Sequence, residues 1–169
     1  MGTRLGGQDP EPKCLIELAG RRLLTFQLDY LETLGITEVV IVVGYKAAQV
    51  QDFFGTKHKS LTLFYVTNDF FDSSGSAFSF FLTRDFWINA KPPVLMLHAD
   101  LLYDEQILLD VMQNNKPDLI VLDESFEVLT GDELVVTGEK GRVEALFKGA
   151  GEKKNIQGES LGINKWSAD

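Results

Sequence analysis

The chain has 169 residues, 44% of them hydrophobic and 11% aromatic, enough to bury one ordinary core, so residues 1–169 are expected to form a single domain. A net charge of −9 argues against a surface that grips a nucleic-acid backbone, and no run approaches the roughly 18 apolar residues of a membrane span. The lone Cys14 cannot close an internal disulfide, in keeping with a reducing, cytoplasmic setting, and reads as a small buried hydrophobe rather than a nucleophile.

The opening stretch, Met1-Gly2-Thr3-Arg4-Leu5-Gly6-Gly7 through Pro12-Lys13, is a glycine-bearing turn with two cations, Arg4 and Lys13. Glycines let backbone N–H groups, such as those of Gly2 and Thr3, approach a polyphosphate, and two fixed cations can neutralise charge on it. No Gly-Lys-Ser/Thr follows, so this is not a Walker loop, and it lacks the dinucleotide Gly-x-Gly-x-x-Gly pattern. An ordinary surface loop is the competing reading. Residues 21–34 carry Leu24, Leu28 and Leu31 at helical spacing, with Gly35 as the C-terminal stop. The β-branched run 39–43, closed by Gly44, suits a strand covered on both faces, as in a parallel sheet. A helix over 47–54 and a strand over 61–66 continue the alternation. Residues 75–87 read as helix, although Phe78, Phe80, Phe81 and Phe86 would also suit a strand, and these aromatics are expected in the core. A second buried strand runs from Val94 to His98, a helix over 104–113, and another buried strand over 119–122. Shorter segments at 133–137, 142–147 and 157–163, separated by glycines, suggest a meander or mixed edge. Alternating β and α elements argue for a three-layer α/β domain.

In open α/β sheets ligands bind beyond the C-terminal strand ends, and Asp100 stands there after the 94–98 run. From spacing alone the favoured reading is the N-cap of a helix over 101–113, or a turn aspartate. His98 is expected to be a packed, hydrogen-bonded side chain, and His58, with Lys57 and Lys59, a solvated loop.

Taken together, Pro12-Lys13, Leu34-Gly35-Ile36, Val42-Val43-Gly44-Tyr45, His98-Ala99-Asp100, Thr130-Gly131-Asp132-Glu133, Lys148 and Gly158-Glu159-Ser160-Leu161-Gly162-Ile163 resemble, in order, the nucleotidyltransferase family that couples a nucleoside triphosphate to a sugar phosphate, phosphocholine or a phosphonate. The last groups are most similar to its phosphocholine and aminoethylphosphonate cytidylyltransferase branch. The resemblance implies a Rossmann-like mixed sheet of the nucleotide-diphospho-sugar transferase type. It also implies transfer of a nucleotidyl group, most simply CMP from CTP, to a phosphate-bearing acceptor with release of pyrophosphate. On this resemblance Arg4 and Lys13 hold the triphosphate and Asp100 is a Mg²⁺ ligand. Asn68 and the small-residue turn Gly75-Ser76-Ala77 reach the nucleotide base, while Lys148 and Glu159 face the acceptor. An acceptor oxygen already anionic near neutral pH needs no general base, so catalysis would be positioning and charge neutralisation.

Two departures from the family pattern bear on this. Relatives begin with a buried central strand between those matching 39–43 and 94–98, and this chain starts without it, so Met1 is expected to be internal to a longer protein, or the two strands to re-pair. Relatives also carry a second metal-binding aspartate in a late strand, which the terminal Asp169 is not expected to replace. A catalytically incomplete nucleotide-binding or interaction module of the same fold is therefore the alternative. An α/β glycosyltransferase is a third reading, disfavoured by the Arg4 and Lys13 loop.

Overall fold

The structure, a computed structural model, describes residues 10–89, 93–125, 134–139, 141–149 and 155–167. It divides into two compact units, one formed by the chain up to residue 92 together with 98–114, the other by 93–97 and 115–167.

In the first unit a short 3₁₀ turn, Lys13–Leu15, precedes a hairpin of β1 (Glu17–Leu18) and β2 (Arg21–Arg22). Its two-residue loop, Ala19 and Gly20, has positive φ at both positions (50° and 79°), the pattern whose twist matches paired strands. Helix α1 (Leu23–Thr33) follows at once, so Arg21 and Arg22, expected in the helix, belong to the hairpin instead. The α1 helix ends as expected at Gly35 (φ 76°), where Gly35 N–H donates to Glu32 O (2.9 Å) and Ile36 N–H to Leu31 O (3.1 Å), a Schellman closure.

Strand β3 (Glu38–Val43), helix α2 (Ala47–Phe54), a short β4 (Lys57–His58) and β5 (Leu61–Thr67) come next. β3 and β5 pair in parallel from Glu38↔Thr62 to Val43↔Thr67, and β4 lies antiparallel on the far edge of β5. Among the described residues no strand lies on the other edge of β3. Leu28, Leu61 and Leu108 are fully buried, joined in the core by Leu24, Leu31, Ile41, Val43 and Val111. The 75–87 segment forms two short helices, α3 (Ser76–Leu82) and α4 (Arg84–Trp87), and its aromatics are not core. Phe78, Phe81 and Phe86 are exposed, and Phe80 stacks on Trp87 at 4.8 Å. One short helix has too little surface to bury so many rings, so they pack on one another. The last helix of this unit is α5 (Glu105–Gln113).

The second unit is antiparallel: β6 (Val94–Leu97), β7 (Leu119–Asp123), β8 (Leu134–Glu139), β9 (Arg142–Lys148) and β10 (Ile156–Trp166). β10 is the hub. It pairs β7 along one side, and β8 and then β6 along the other. Gly158 is needed where β10 meets β7, because a Cβ there would stand 2.7 Å from Asp123 O. β6 and β7 are half-buried along their whole length rather than enclosed, as the apolar runs suggested. The other edge of β6 also carries no strand among the described residues.

Candidate active site

The Lys13 turn is rigid for local reasons. Pro12 fixes φ at −52° before it, Leu15 N–H donates to Pro12 O (2.8 Å), and Ile16 N–H to Lys13 O (3.1 Å). Arg22 then ties the turn to the start of α1: its Nη1 donates to Leu15 O (2.6 Å) and to Glu11 Oε2 (3.0 Å), while Leu23 N–H donates to Ile16 O (2.9 Å). From this base Lys13 Nζ donates to Asp100 Oδ2 at 3.0 Å, across 87 residues of sequence.

The turn carrying Asp100 is held from below by Gln27 of α1, 3% exposed, whose Nε2 donates to His98 O (2.9 Å) and Leu101 O (2.8 Å). Asp100 is a turn residue and not the N-cap of α5: that cap is Asp104, whose Oδ1 accepts from Gln106 N–H (2.9 Å). Lys13 and Asp100 keep side-chain exposures of 49% and 37%. An ion pair this wet contributes only about 0–1 kcal/mol, so both charges can exchange each other for ligand groups at little cost. Among the described residues no cluster of three or more acidic, thiol or imidazole groups could cage a metal. A single accessible carboxylate instead suits a Mg²⁺ that keeps water and phosphate oxygens for its other positions.

Asn68 lies at the end of β5 and is 2% exposed. Its Nδ2 donates to Ser74 Oγ (2.9 Å) and Ser79 Oγ (3.0 Å), and its Oδ1 accepts from Phe70 N–H (2.9 Å). The side chain thus shapes the 68–79 loop from inside. Gly75 is the uncapped N-cap of α3, with Ser76 and Ala77 in its first turn; Gly75 and Ala77 are exposed. Tyr45 links this loop to the segment before Lys13: its hydroxyl donates to Pro10 O (2.9 Å) and its ring lies 6.2 Å from that of Phe71. Gly44 makes room for Phe71, since a Cβ at Gly44 would lie 2.5 Å from Phe71 Cβ.

Lys148 and Glu159 belong to the second unit. Lys148 pairs with Leu134, Glu159 with Val135, and adjacent residues of β8 face opposite ways, so the register sends the two side chains to opposite faces of this sheet. Gly2, Thr3, Arg4, the Thr130-Gly131-Asp132-Glu133 group and Asp169 lie outside the described residues.

The thiol of Cys14 is pushed up to about 11, chiefly by burial and further by the nearby Asp100 and Glu11 charges, so it is not a nucleophile near neutral pH. His58 is not the plain surface residue expected. It is half-buried, and its Nε2 meets Asp29 Oδ1 at 2.8 Å, within a cluster where Arg21 and Lys59 also reach Asp29 and Lys59 reaches Glu32. A cleft of about 530 Å³ opens beside this cluster, lined by Arg22, Phe53, Lys57 and His58 among others; it includes neither Lys13 nor Asp100. Sequence reasoning also missed Gln27, although a polar residue three after Leu24 and four before Leu31, inside the apolar stripe, was a visible signal.

The sequence pattern of the MobA-like NTP transferase domain matches residues 1–152. The chain belongs to that family. Within it, this MobA-like domain is 23% identical over 119 residues to the CTP:phosphoglutamine cytidylyltransferase of Campylobacter jejuni, covering 69% of this chain and 46% of that protein. Two solved structures share its fold. The inositol-1-phosphate CTP transferase of T. maritima has a TM-score of 0.67 at 16% identity, over 93% of this chain and 62% of that one. The CTP:phosphocholine cytidylyltransferase of Streptococcus pneumoniae has a TM-score of 0.61 at 19% identity, over 98% and 66%. The MobA-like domain thus spans about half the length of the curated relative it matches, and its mixed α/β architecture is that of the nucleotide-diphospho-sugar transferases.

Proposed function

We propose that this chain binds a nucleoside triphosphate, CTP first among them, and transfers its nucleotidyl group to a small acceptor bearing a phosphate or phosphonate. An acceptor oxygen forms the new bond to the α-phosphorus while the bond to the bridging oxygen breaks and pyrophosphate leaves. The observation that carries this is the accessible Lys13–Asp100 pair at 3.0 Å in a member of an NTP transferase family. Lys13, together with Arg4 from the preceding loop, would neutralise the triphosphate. Asp100 would hold Mg²⁺, which when bound supplies charge neutralisation and orients phosphate oxygens. The preference for cytosine follows the names of the three relatives described above, which are named for CTP. The Asn68 loop, running on to Gly75, Ser76 and Ala77, is our candidate for reaching the base. Lys148 or Glu159, facing opposite ways, would meet the acceptor singly rather than as a pair. The cytoplasm, with its triphosphate pool, is the setting this reaction requires.

Among the described residues no strand pairs with the other edge of β3 or of β6, which favours a second reading, a nucleotide-binding module of the same fold that does not turn over. Pyrophosphate release from CTP, UTP, GTP and ATP, each against phosphocholine, aminoethylphosphonate and sugar 1-phosphates, separates the two. Release abolished by Lys13→Ala and Asp100→Asn supports transfer. Binding of CTP without release supports the module, and release unaffected by both substitutions sinks the proposed site.

A further inference from the structure

The N-terminal half of α1 grips both partners of the Lys13–Asp100 pair. Arg22 and the Leu23 N–H close the turn that carries Lys13, and five residues after Arg22 the Gln27 amide spans the two carbonyls that bracket Ala99 and Asp100. Gln27 sits among Leu23, Leu24, Leu28 and Leu31, all buried, in the helix face turned to the core. Burying a carboxamide there carries a desolvation cost that an aliphatic residue would avoid, unless both donors are used, as they are. Its two bonds leave the 98–101 turn little freedom to rotate.

The geometry points to Gln27 as a positioning residue. It fixes the turn that aims Asp100 at Lys13, and with Arg22 it makes the start of α1 a spacer that sets the separation between cation and carboxylate. This deepens, and rests on, the reading of Lys13 and Asp100 as the triphosphate and metal pair. Gln27 itself touches neither ligand.

The test uses the whole chain and three variants. Gln27→Met fills a similar volume without donors. Gln27→Glu sets a carboxylate against the two carbonyls and regains one O–H donor only when protonated. Asp100→Asn is the control for the pair itself. Thermal melting in metal-free buffer reports folding, Mn²⁺ binding followed by the electron paramagnetic resonance of the free ion reports the site, and pyrophosphate release reports turnover. Gln27→Met is expected to weaken Mn²⁺ binding by about tenfold, the lower end of what losing a direct partner of a metal ligand costs, because Gln27 holds the neighbours of Asp100 and not its carboxylate. Mn²⁺ binding by folded Gln27→Glu should recover relative to the original chain as pH is lowered, whereas a merely structural role would move its melting temperature alone. If both variants bind Mn²⁺ as the original does and change only the melting temperature, Gln27 is structural and the inference fails. If Asp100→Asn leaves Mn²⁺ binding and release intact, the underlying reading fails instead. Should Gln27→Met not fold, Gln27→Asn decides: its shorter stem keeps the donors but reaches one carbonyl at most, so unchanged Mn²⁺ binding in it overturns the inference.

Discussion

Replacing Lys13 by alanine separates a functional charge from a structural one. The ammonium and its Asp100 partner are both more than a third exposed, so solvent screening leaves the pair worth about 0–1 kcal/mol to folding. For a chain of this size 1 kcal/mol moves the melting temperature by roughly 2–4 °C, so Lys13→Ala should melt within about 4 °C of the original. In the proposed transfer the same group would face charge developing on the leaving pyrophosphate. Loss of one preorganised donor at such a position costs on the order of a hundredfold to a thousandfold in kcat, or about 2.7–4 kcal/mol. Steady-state pyrophosphate release at saturating CTP and acceptor, run beside a melting curve, measures both quantities on one sample. The substitution should therefore nearly silence turnover in a protein that is almost as stable as before. Turnover within threefold of the original, or a loss that tracks unfolding, would refute the reasoning.

Other consequences are accessible to simple measurements. Gly44→Ala, whose Cβ would overlap the Cβ and ring of Phe71, should cost about 1–3 kcal/mol by chemical denaturation, and should cost less in a Phe71→Gly background, which removes the Cβ as well as the ring; a neutral single substitution would show that the loop moves aside. Cys14, its thiol raised from 9.0 to about 11, should react with iodoacetamide near pH 8 roughly a hundredfold more slowly in the native chain than in urea; equal rates would refute the burial argument. Burial alone would raise Asp29, but hydrogen bonds from His58, Lys59 and Arg21 outweigh it and hold the carboxyl below its ordinary 3.8. A lowered folded value means that stability is whole above the unfolded value and is lost as pH falls through the folded one. Asp29→Asn should accordingly flatten the decline in melting temperature below about pH 4, and an unchanged acid limb would dismiss the cluster as a stabiliser.

Elements whose periodicity coincides with their environment were legible in the sequence. The 47–54 helix has the bounds of α2, and the Val39–Val43 run lies in β3. Where tertiary pairing decides, the pattern misled. Arg21 and Arg22 have good helix propensity, yet a two-residue turn before them draws them into a hairpin. The phenylalanines of 78–86 were assigned to a core that α3 does not enter. Asp100 was ambiguous from spacing because a strand-end aspartate and a helix cap look alike until Asp104 is seen to cap. Its meeting with Lys13 depends on contacts across 87 residues, which no local pattern encodes. Gln27, by contrast, announced itself as a polar interruption of a leucine stripe, a signal of position rather than of chemistry.

The hub role of β10 has a bearing on how the polypeptide matures. Among the described residues β6 and β7 have no strand partner except β10, which the ribosome makes after both. Among the described strands of that sheet only the β8–β9 hairpin can assemble from neighbouring sequence; the others must wait, unpaired, for β10 to arrive and zip against three predecessors. Closure over such long separations is slow. A nascent chain stalled before residue 156 would leave those strands as bait for chaperones or for one another.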